Sequence, residues 1–332
     1  MTMILPEHPN VAMRVAVVIP CYKVKRHVLG VIAAIDQRVE RIYCVDDACP
    51  EESGNYIQTA TTDSRVVILK HSENQGVGGA VMTGYRAAIA DQMDIIVKID
   101  GDGQMDPSLL PDFIAPIIAG EADYTKGNRF WELSQIRQMP LLRRVGNLGL
   151  SFMAKASSGY WDIFDPTNGY TAIHANVASH LPMNSISRRY FFETDLLFRL
   201  NTLRAVVKDV PMDARYADEE SNLKVSRVVG EFAFKHARNL LKRIGYNYFL
   251  RDLPIAALEL LASGLLLPFG LLFGMYHWHQ SSTADTATPV GTIMLSIVAV
   301  TTGLQFLLAF LGYDIASVPR NPLHRSIKRR AQ

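Results

Sequence analysis

Cysteine is scarce in this chain: Cys21, Cys44 and Cys49 are the only three among 332 residues. The number is odd and the spacing is not that of metal ligands. Neither a disulfide framework nor a structural zinc site is read, and a reduced, cytosolic catalytic portion fits best. Net charge is equally scarce. Lys and Arg number 34 against 32 Asp and Glu, a net of +2, so no partnership with nucleic acid is expected. The N-terminal stretch has no long apolar core. Pro6, Glu7 and Pro9 interrupt it, and it does not read as a secretory signal. Charge vanishes altogether over residues 290–313, and residues 253–278 carry only Glu259. Each stretch exceeds the ~20 residues that a membrane span requires. The segment between them, 277–289, has no Lys or Arg. Lys242, Arg243 and Arg251 precede the first stretch, and Arg320, Arg325, Lys328, Arg329 and Arg330 follow the second. The positive-inside rule then predicts an integral membrane protein with both termini and the catalytic portion cytoplasmic, and a short outward loop. Trp278 and Tyr313 suit the interfacial belt.

What the chain does have is a run of β-branched strands, each ending in polar residues. Residues 95–99 are apolar except for Lys98, and read as a buried strand that stops at Asp100-Gly-Asp102-Gly. Alternation sets Asp100, Asp102 and Gln104 on one side. Two carboxylates and an amide oxygen suit a hard divalent cation, Mg2+ or Mn2+, that keeps positions for phosphate oxygens. Against this stands the plainer reading, a turn after a strand. Residues 15–20, 42–45 and 66–69 read as three more strands, with a short helix over 28–35 and a glycine-rich helix entry at Asn74, Gly76, Gly78 and Gly79. That alternation predicts an α/β fold with a mostly parallel, Rossmann-like sheet. Ligands in such sheets bind beyond the carboxyl ends of the strands. Pro20-Cys21-Tyr22, Asp46-Asp47 and Asp100/Asp102 all fall there. The glycine-rich entry matches no Walker loop or dinucleotide fingerprint, and tight packing is favoured over phosphate binding.

The middle of the chain reads as polar and rich in loops. Lys126, Arg129, Arg143, Arg144, Asp165 and Asn168 lie within it. Glu193 and Asp195 stand at the head of an apolar helix, where the helix dipole alone accounts for them. The alternative is a carboxylate that reaches the sugar or the nucleophile, and Asp195 is kept as a candidate on that basis. Residues 225–244 show Val225, Val229, Phe232, Leu240 and Ile244 at helical spacing, with Arg227, Glu231, Lys235, Arg238 and Lys242 on another face. This predicts a basic amphipathic helix at the membrane interface.

These motifs together resemble the family 2 glycosyltransferases of GT-A fold, specifically the polyprenyl-phosphate glycosyltransferases, the dolichol-phosphate mannosyltransferase-like branch. The resemblance covers roughly the whole chain, including a two-helix membrane tail. VVIPCY is similar to the family's first strand and turn, CVDDACP to its nucleoside-holding aspartates, and IDGDGQMDP to its metal motif. By resemblance, Pro20, Tyr22, Asp46, Asp47, Gly76, Asp100 and Gln104 would hold a nucleotide-sugar donor, with Asp100, Asp102 and Gln104 on the metal. KGNRF and FDPTNGY would serve the acceptor, a polyprenyl phosphate, through Arg129, Arg143, Arg144 and Asn168. Asp102, Arg129 and Asp195 would be the catalytic set. The chain departs from the family pattern in having Lys23-Val24-Lys25 after Tyr22 and Thr171 after Tyr170.

The resulting expectation is a metal-dependent, inverting hexosyltransferase of cell-envelope polysaccharide synthesis, working at the cytoplasmic face of an inner or plasma membrane. Residues 1–221 would form the GT-A domain, 222–252 basic juxtamembrane helices, 253–313 a transmembrane hairpin and 314–332 a basic tail. The bilayer is a partner, and a homo-oligomer is compatible. Alternatives are transfer to another lipid or polysaccharide acceptor, or a non-catalytic nucleotide-sugar binder. A processive polymer synthase is disfavoured because no Q-x-x-R-W motif occurs and two spans are few for a channel.

Overall fold

The computed structural model describes residues 13–131, 141–213 and 225–330, with the side chains of 141–145, 147 and 225–229 outside the description. β1 (Val15–Cys21), β2 (Val39–Asp46), β3 (Val66–Lys70) and β4 (Ile95–Lys98) are the predicted strands. Between them run α1 (Val28–Ala34), α2 (Ser53–Ala60) and α3 (Gly76–Ala90). They belong to a seven-stranded sheet of order β3-β2-β1-β4-β6-β5-β7. All pairings are parallel except those of β6 (Thr171–His174), which runs antiparallel to both neighbours. The chain winds outward from β1 to β3, then returns to place β4 on the other side of β1. That reversal opens a crevice at the carboxyl ends of β1 and β4. Register sets Cys21 beside Asp46 there.

The aliphatic strands explain themselves. Ile95, Ile96 and Val97 are wholly buried, and each such side chain contributes about 1.5–3 kcal/mol. Val18, Ile96 and Tyr85 belong to the core on one face of the sheet, Val17, Ile19 and Val97 to the core on the other.

The middle of the chain is more ordered than its polarity suggests. Besides β6 it forms α4 (Leu110–Ile118), β5 (Tyr124–Asn128), α5 (Leu141–Ser158), α6 (Phe192–Leu203) and β7 (Val207–Pro211). β5 reads Tyr-Thr-Lys-Gly-Asn, yet all five residues are buried. A strand whose polar groups are satisfied internally has no hydropathy signature, which is why composition alone reads it as loop.

α7 (Val225–Ile244) is the predicted amphipathic helix, but it lies on the globular domain. Its inward side carries His236, Asn239 and Arg243, all buried. His236 Nδ1 is 2.7 Å from Ser157 Oγ, and Asn239 donates to Asp195 at 2.9 Å. Phe232 packs edge-on to Phe191 at 5.6 Å. Phe232, Leu240 and Ile244 are therefore half-buried against the domain or its junction, while Phe234 and Leu241 are left exposed beside Arg238 and Lys242.

α8 (Ile255–Thr283) and α9 (Val290–Ala316) form an antiparallel hairpin. Both are long and apolar enough to cross a membrane, and only 22% and 17% of their apolar windows are buried within the molecule, unlike core helices. Small residues close the hairpin: Gly303 lies against the Leu267 backbone, and Ser296 donates to the Gly270 carbonyl at 2.8 Å. Its base is tied to the domain by Asp314, which accepts from Arg243, Tyr248 and Trp161 at 2.6–2.9 Å. The segment after α9 docks back on the domain. Asp123 accepts the Leu323 and His324 backbone N–H groups at 2.8 Å, and Arg329 donates to the Met93 carbonyl at 2.6 Å. The basic tail is thus a strap against the catalytic domain, not a free extension.

Candidate active site

Each predicted carboxylate has a definite position at the crevice. Asp46 ends β2, with one oxygen accepting from Cys49 N at 2.8 Å and the other from Gly54 N at 2.6 Å. Asp47 accepts from Gln75 N at 2.8 Å and Gly76 N at 2.7 Å, and its Oδ1 lies 2.7 Å from His71 Nδ1. The two aspartates therefore shape the crevice wall by holding the starts of α2 and α3. The N–H of Gly78 is taken by the Arg188 carbonyl at 2.8 Å. The glycine-rich entry is a packing device: Gly76 has φ +81°, and a Cβ there would strike the Arg188 carbonyl. Pro20 is half-buried at the end of β1, and Tyr22 beyond it is 45% exposed.

Asp100 and Asp102 follow β4, half-exposed. Asp102 Oδ1 accepts from Gln104 N at 3.0 Å, which pins the turn. Lys98 lies beneath, 1% exposed, with Nζ 2.8 Å from Asp100 Oδ1 and 3.6 Å from Glu193 Oε1. Burial pulls its pKa down, but Asp100 and then Glu193 more than offset this and raise it. Lys98 therefore stays charged and holds the Asp100 carboxylate in place. Gly169 completes the corner, because a Cβ there would meet both Lys98 Nζ and Asp100 Oδ2.

On the other side of β4 the loop 164–170 faces β5. Arg129 forks onto Asp165, Nε at 2.7 Å and Nη2 at 3.1 Å. Burial alone would raise the Asp165 pKa, but the Arg129 hydrogen bonds prevail and hold it low. Lys126 is buried and donates to the Asn168 carbonyl. Its pKa is lowered to about 8, mainly by burial, with Glu193 and Asp165 opposing. Asp209 on β7 accepts from Asn128 and Phe164 N at 3.1 and 3.0 Å, and burial raises its pKa to about 6.

Two candidates stand differently from their sequence roles. Asn168 is 2% exposed; its amide donates to Met212 Sδ at 3.1 Å and accepts from Tyr170 N at 2.9 Å, so it holds the loop in shape. Asp195 is 1% exposed and accepts from Ser187 N and Asn239 at 2.8 and 2.9 Å, tying α6 to α7. It is Glu193, two residues earlier, that faces Lys98. Arg143 and Arg144 begin α5, and their side chains lie outside the described residues.

Sequence reasoning noted Lys98 only as the polar interruption of a strand. That interruption was the available signal, because a buried lysine needs polar partners to offset its lost hydration, and Lys98 finds two carboxylates. Asp209 gave none: nothing in Val-Lys-Asp-Val-Pro distinguishes a buried acid from an exposed one.

Among the described residues no group of three or more His, Cys, Asp or Glu side chains could hold a metal ion. The oxygen-only pair Asp100 and Asp102, half-open at a strand end, still fits a hard cation that takes its remaining ligands from water and phosphate.

Residues 16–181, half of the chain, match the glycosyl transferase family 2 model. The chain belongs to this family. A UDP-N-acetylglucosamine–dolichyl-phosphate N-acetylglucosaminyltransferase from Methanococcus voltae is 30% identical over 58% of the chain and 70% of the relative. An undecaprenyl-phosphate mannosyltransferase from Micrococcus luteus is 28% identical over 60% and 83%, and a dolichol-phosphate mannosyltransferase from Pyrococcus furiosus 25% identical over 79% and 72%. Glucosyl-3-phosphoglycerate synthase from Mycobacterium tuberculosis, solved with Mn2+ and UDP, superposes with a TM-score of 0.51 at 18% identity, over 70% of this chain and 81% of that one. That likeness shows the GT-A fold, which the sequence predicts.

Proposed function

We propose that the chain transfers a sugar, with inversion, from a nucleotide-sugar to polyprenyl phosphate at the cytoplasmic membrane face. The observation that supports this reading most is the corner where Asp100, held by Lys98, meets Gly169 of the loop 164–170, whose Asp165 carries the Arg129 fork. Asp46, Asp47, Asp100 and Asp102 line one wall of the crevice, and the Arg129–Asp165 fork stands on the other. The names of the relatives support the same chemistry, and α8 and α9 supply a membrane anchor.

The donor base would lie by Tyr22 and Pro20, within the wall shaped by Asp46, Asp47 and Gly76. Asp100, Asp102 and Gln104 would hold the divalent cation, which when bound neutralises the departing diphosphate. Lys98 orients Asp100. Glu193, paired with Lys98, faces the sugar side in place of Asp195, which the proposal assigns to positioning α7. Arg129, with Arg143 and Arg144, would supply the positive charge that receives the acceptor phosphate, while Asp165 holds the Arg129 guanidinium in place. Asn168 shapes that loop from beneath. The phosphate oxygen attacks the anomeric carbon as the carbon–oxygen bond to the diphosphate breaks. A phosphate monoester is already largely ionised at neutral pH, so no strong base is needed.

Screening nucleotide-sugars with a short polyprenyl phosphate, then reading the product's anomeric configuration by NMR, tests the reaction and its stereochemistry together. Inversion is expected; a product that retains the donor's configuration would contradict it. Labelling Ser281→Cys with an impermeant thiol reagent tests the orientation. Reaction from outside intact cells is expected, and reaction only after lysis would reverse the topology.

A further inference from the structure

A second polar cavity lies at the far end of the sheet from the crevice, where the domain meets the hairpin. Arg204, Asn247, Arg251, Pro254 and Tyr313 line it, and its volume is about 50 Å3, room for several waters or one phosphate group. It is not the donor or acceptor site. Glu193 stands at the start of α6 and Arg204 just past its end, so a helix of twelve residues, about 18 Å, separates them.

Charge there is unbalanced toward positive. Arg243 is matched by Asp314 and Arg251 by Asp252, while Arg204 adds a further cation. The Arg204 Nη1 donates to the Ser317 carbonyl at 2.8 Å and the Arg251 Nη1 to the Thr202 carbonyl at 3.0 Å. A guanidinium has five donors, so both retain capacity for phosphate oxygens. Asn247 adds an independent mark. It is 7% exposed, its amide donates to Asn201 at 3.0 Å, and its Oδ1 is buried without a partner. An orphaned acceptor beside cationic donors calls for a ligand that carries both a phosphate and a hydroxyl or ammonium donor.

We infer that this cavity binds the headgroup of a membrane phospholipid. The phosphate lies between Arg204 and Arg251, and a headgroup hydroxyl or ammonium donates to Asn247 Oδ1. The inference rests on the hairpin crossing a bilayer, since the first residues of α8 and the last of α9 then lie at headgroup depth. A lipid held there would fix the angle between domain and membrane, and with it the height of the crevice 18 Å or so away.

The test is titration of the full-length protein in detergent with phosphatidylglycerol, followed by native mass spectrometry and by thermal unfolding. Arg204→Gln and Arg251→Gln should each weaken lipid retention about five-fold, the equivalent of ~1 kcal/mol per basic residue at an anionic surface, and remove the lipid-induced rise in Tm. Arg238→Gln, an exposed cation on α7 outside the cavity, should change neither. Equal losses in Arg238→Gln would reduce the effect to surface charge and overturn the site. Stabilisation by inorganic phosphate alone, to the same extent, would make it a free-anion site and overturn the lipid. Displacement of bound phosphatidylglycerol by an equal concentration of short-chain polyprenyl phosphate would assign the cavity to the acceptor and overturn it too. Undiminished nucleotide binding in each variant shows that it has folded, and Arg204→Lys, which keeps the charge, should recover most of the affinity. If carbonate washing frees the chain from membranes, the anchoring fails; if the chain stays and the variants bind lipid as the wild type does, only the headgroup site fails.

Discussion

The two halves of the sheet are built on different principles. β1 to β4 are aliphatic strands, and their chemistry begins where they stop. β5 to β7 and the loop 164–170 instead bury their chemistry inside the strands: Lys126, Asn128, Asp165 and Asp209 sit in or against β5 and β7. In the first half an apolar core positions the strand ends, where backbone N–H groups hold Asp46 and Asp47 and the one buried strand lysine, Lys98, holds Asp100. In the second, ion pairs and hydrogen bonds hold buried groups, and that burial drives Lys126 down toward about 8 and Asp209 up toward about 6. A donor wall can be rigid and generic, because nucleotide and metal bring their own charge. An acceptor wall that meets a lipid phosphate needs cations held ready, and buried cations need counter-charges.

If the comparison holds, substitutions in the two halves fail in different ways. The largest effect is expected for Asp102→Asn. Loss of one carboxylate charge at the cation should cost transfer about 10²–10³-fold, several kcal/mol of charge stabilisation, with Tm unchanged because the residue is half-exposed. A measured rate near wild type would remove the metal from the donor half.

Arg129→Ala should do two things at once. The apparent KM for polyprenyl phosphate should rise about 10–100-fold, for a lost charge-assisted hydrogen bond of ~1.5–3 kcal/mol. Stability should also fall, by as much as ~3–5 kcal/mol, because Asp165 is left buried without its partner. Denaturant titration beside steady-state kinetics reads both. Weakened donor binding with unaltered acceptor dependence would transfer Arg129 to the diphosphate.

Glu193→Gln and Asp195→Asn sharpen the assignment within one helix turn. Glu193→Gln should lower kcat with little change in Tm, whereas Asp195→Asn should lower Tm and leave kcat within about threefold, as for a lost buried hydrogen bond of ~1 kcal/mol. The opposite pattern would restore Asp195 as the catalytic carboxylate.

The smallest effect on transfer is expected from Asp209, whose signature is in stability. Its folded pKa, about 6, lies above the ordinary value of 3.8, so between those pH values the folded state binds more protons than the unfolded one. Stability from this group therefore falls as pH rises from about 4 to 6, and the cost persists above 6. Asp209→Asn should abolish that slope and raise stability at pH 7.5 by about 1–3 kcal/mol. An unchanged slope in calorimetric scans would mean that the carboxyl titrates normally.

Legibility in the sequence divides along the same line. Residues 15–20, 42–45, 66–69 and 95–99 showed their strands through short apolar runs rich in β-branched residues, two of which stop at Asp46 and Asp100. The hairpin was legible from length and absence of charge. β5, β6 and β7 were not, because Thr125, Lys126, Asn128 and Asp209 look like loop until their partners, up to 81 residues away, are known. The inward face of α7 failed for the same reason: His236, Asn239 and Arg243 are polar residues that serve as core once Ser157, Asp195 and Asp314 meet them.

The most direct test is release of nucleoside diphosphate from the purified full-length chain, measured with and without short-chain polyprenyl phosphate and with and without divalent cation. Release is expected only when acceptor and cation are both present, at a rate that saturates with acceptor. Release that ignores polyprenyl phosphate, or persists undiminished in excess chelator, would contradict the pairing of a metal-bound donor wall with a lipid-phosphate wall.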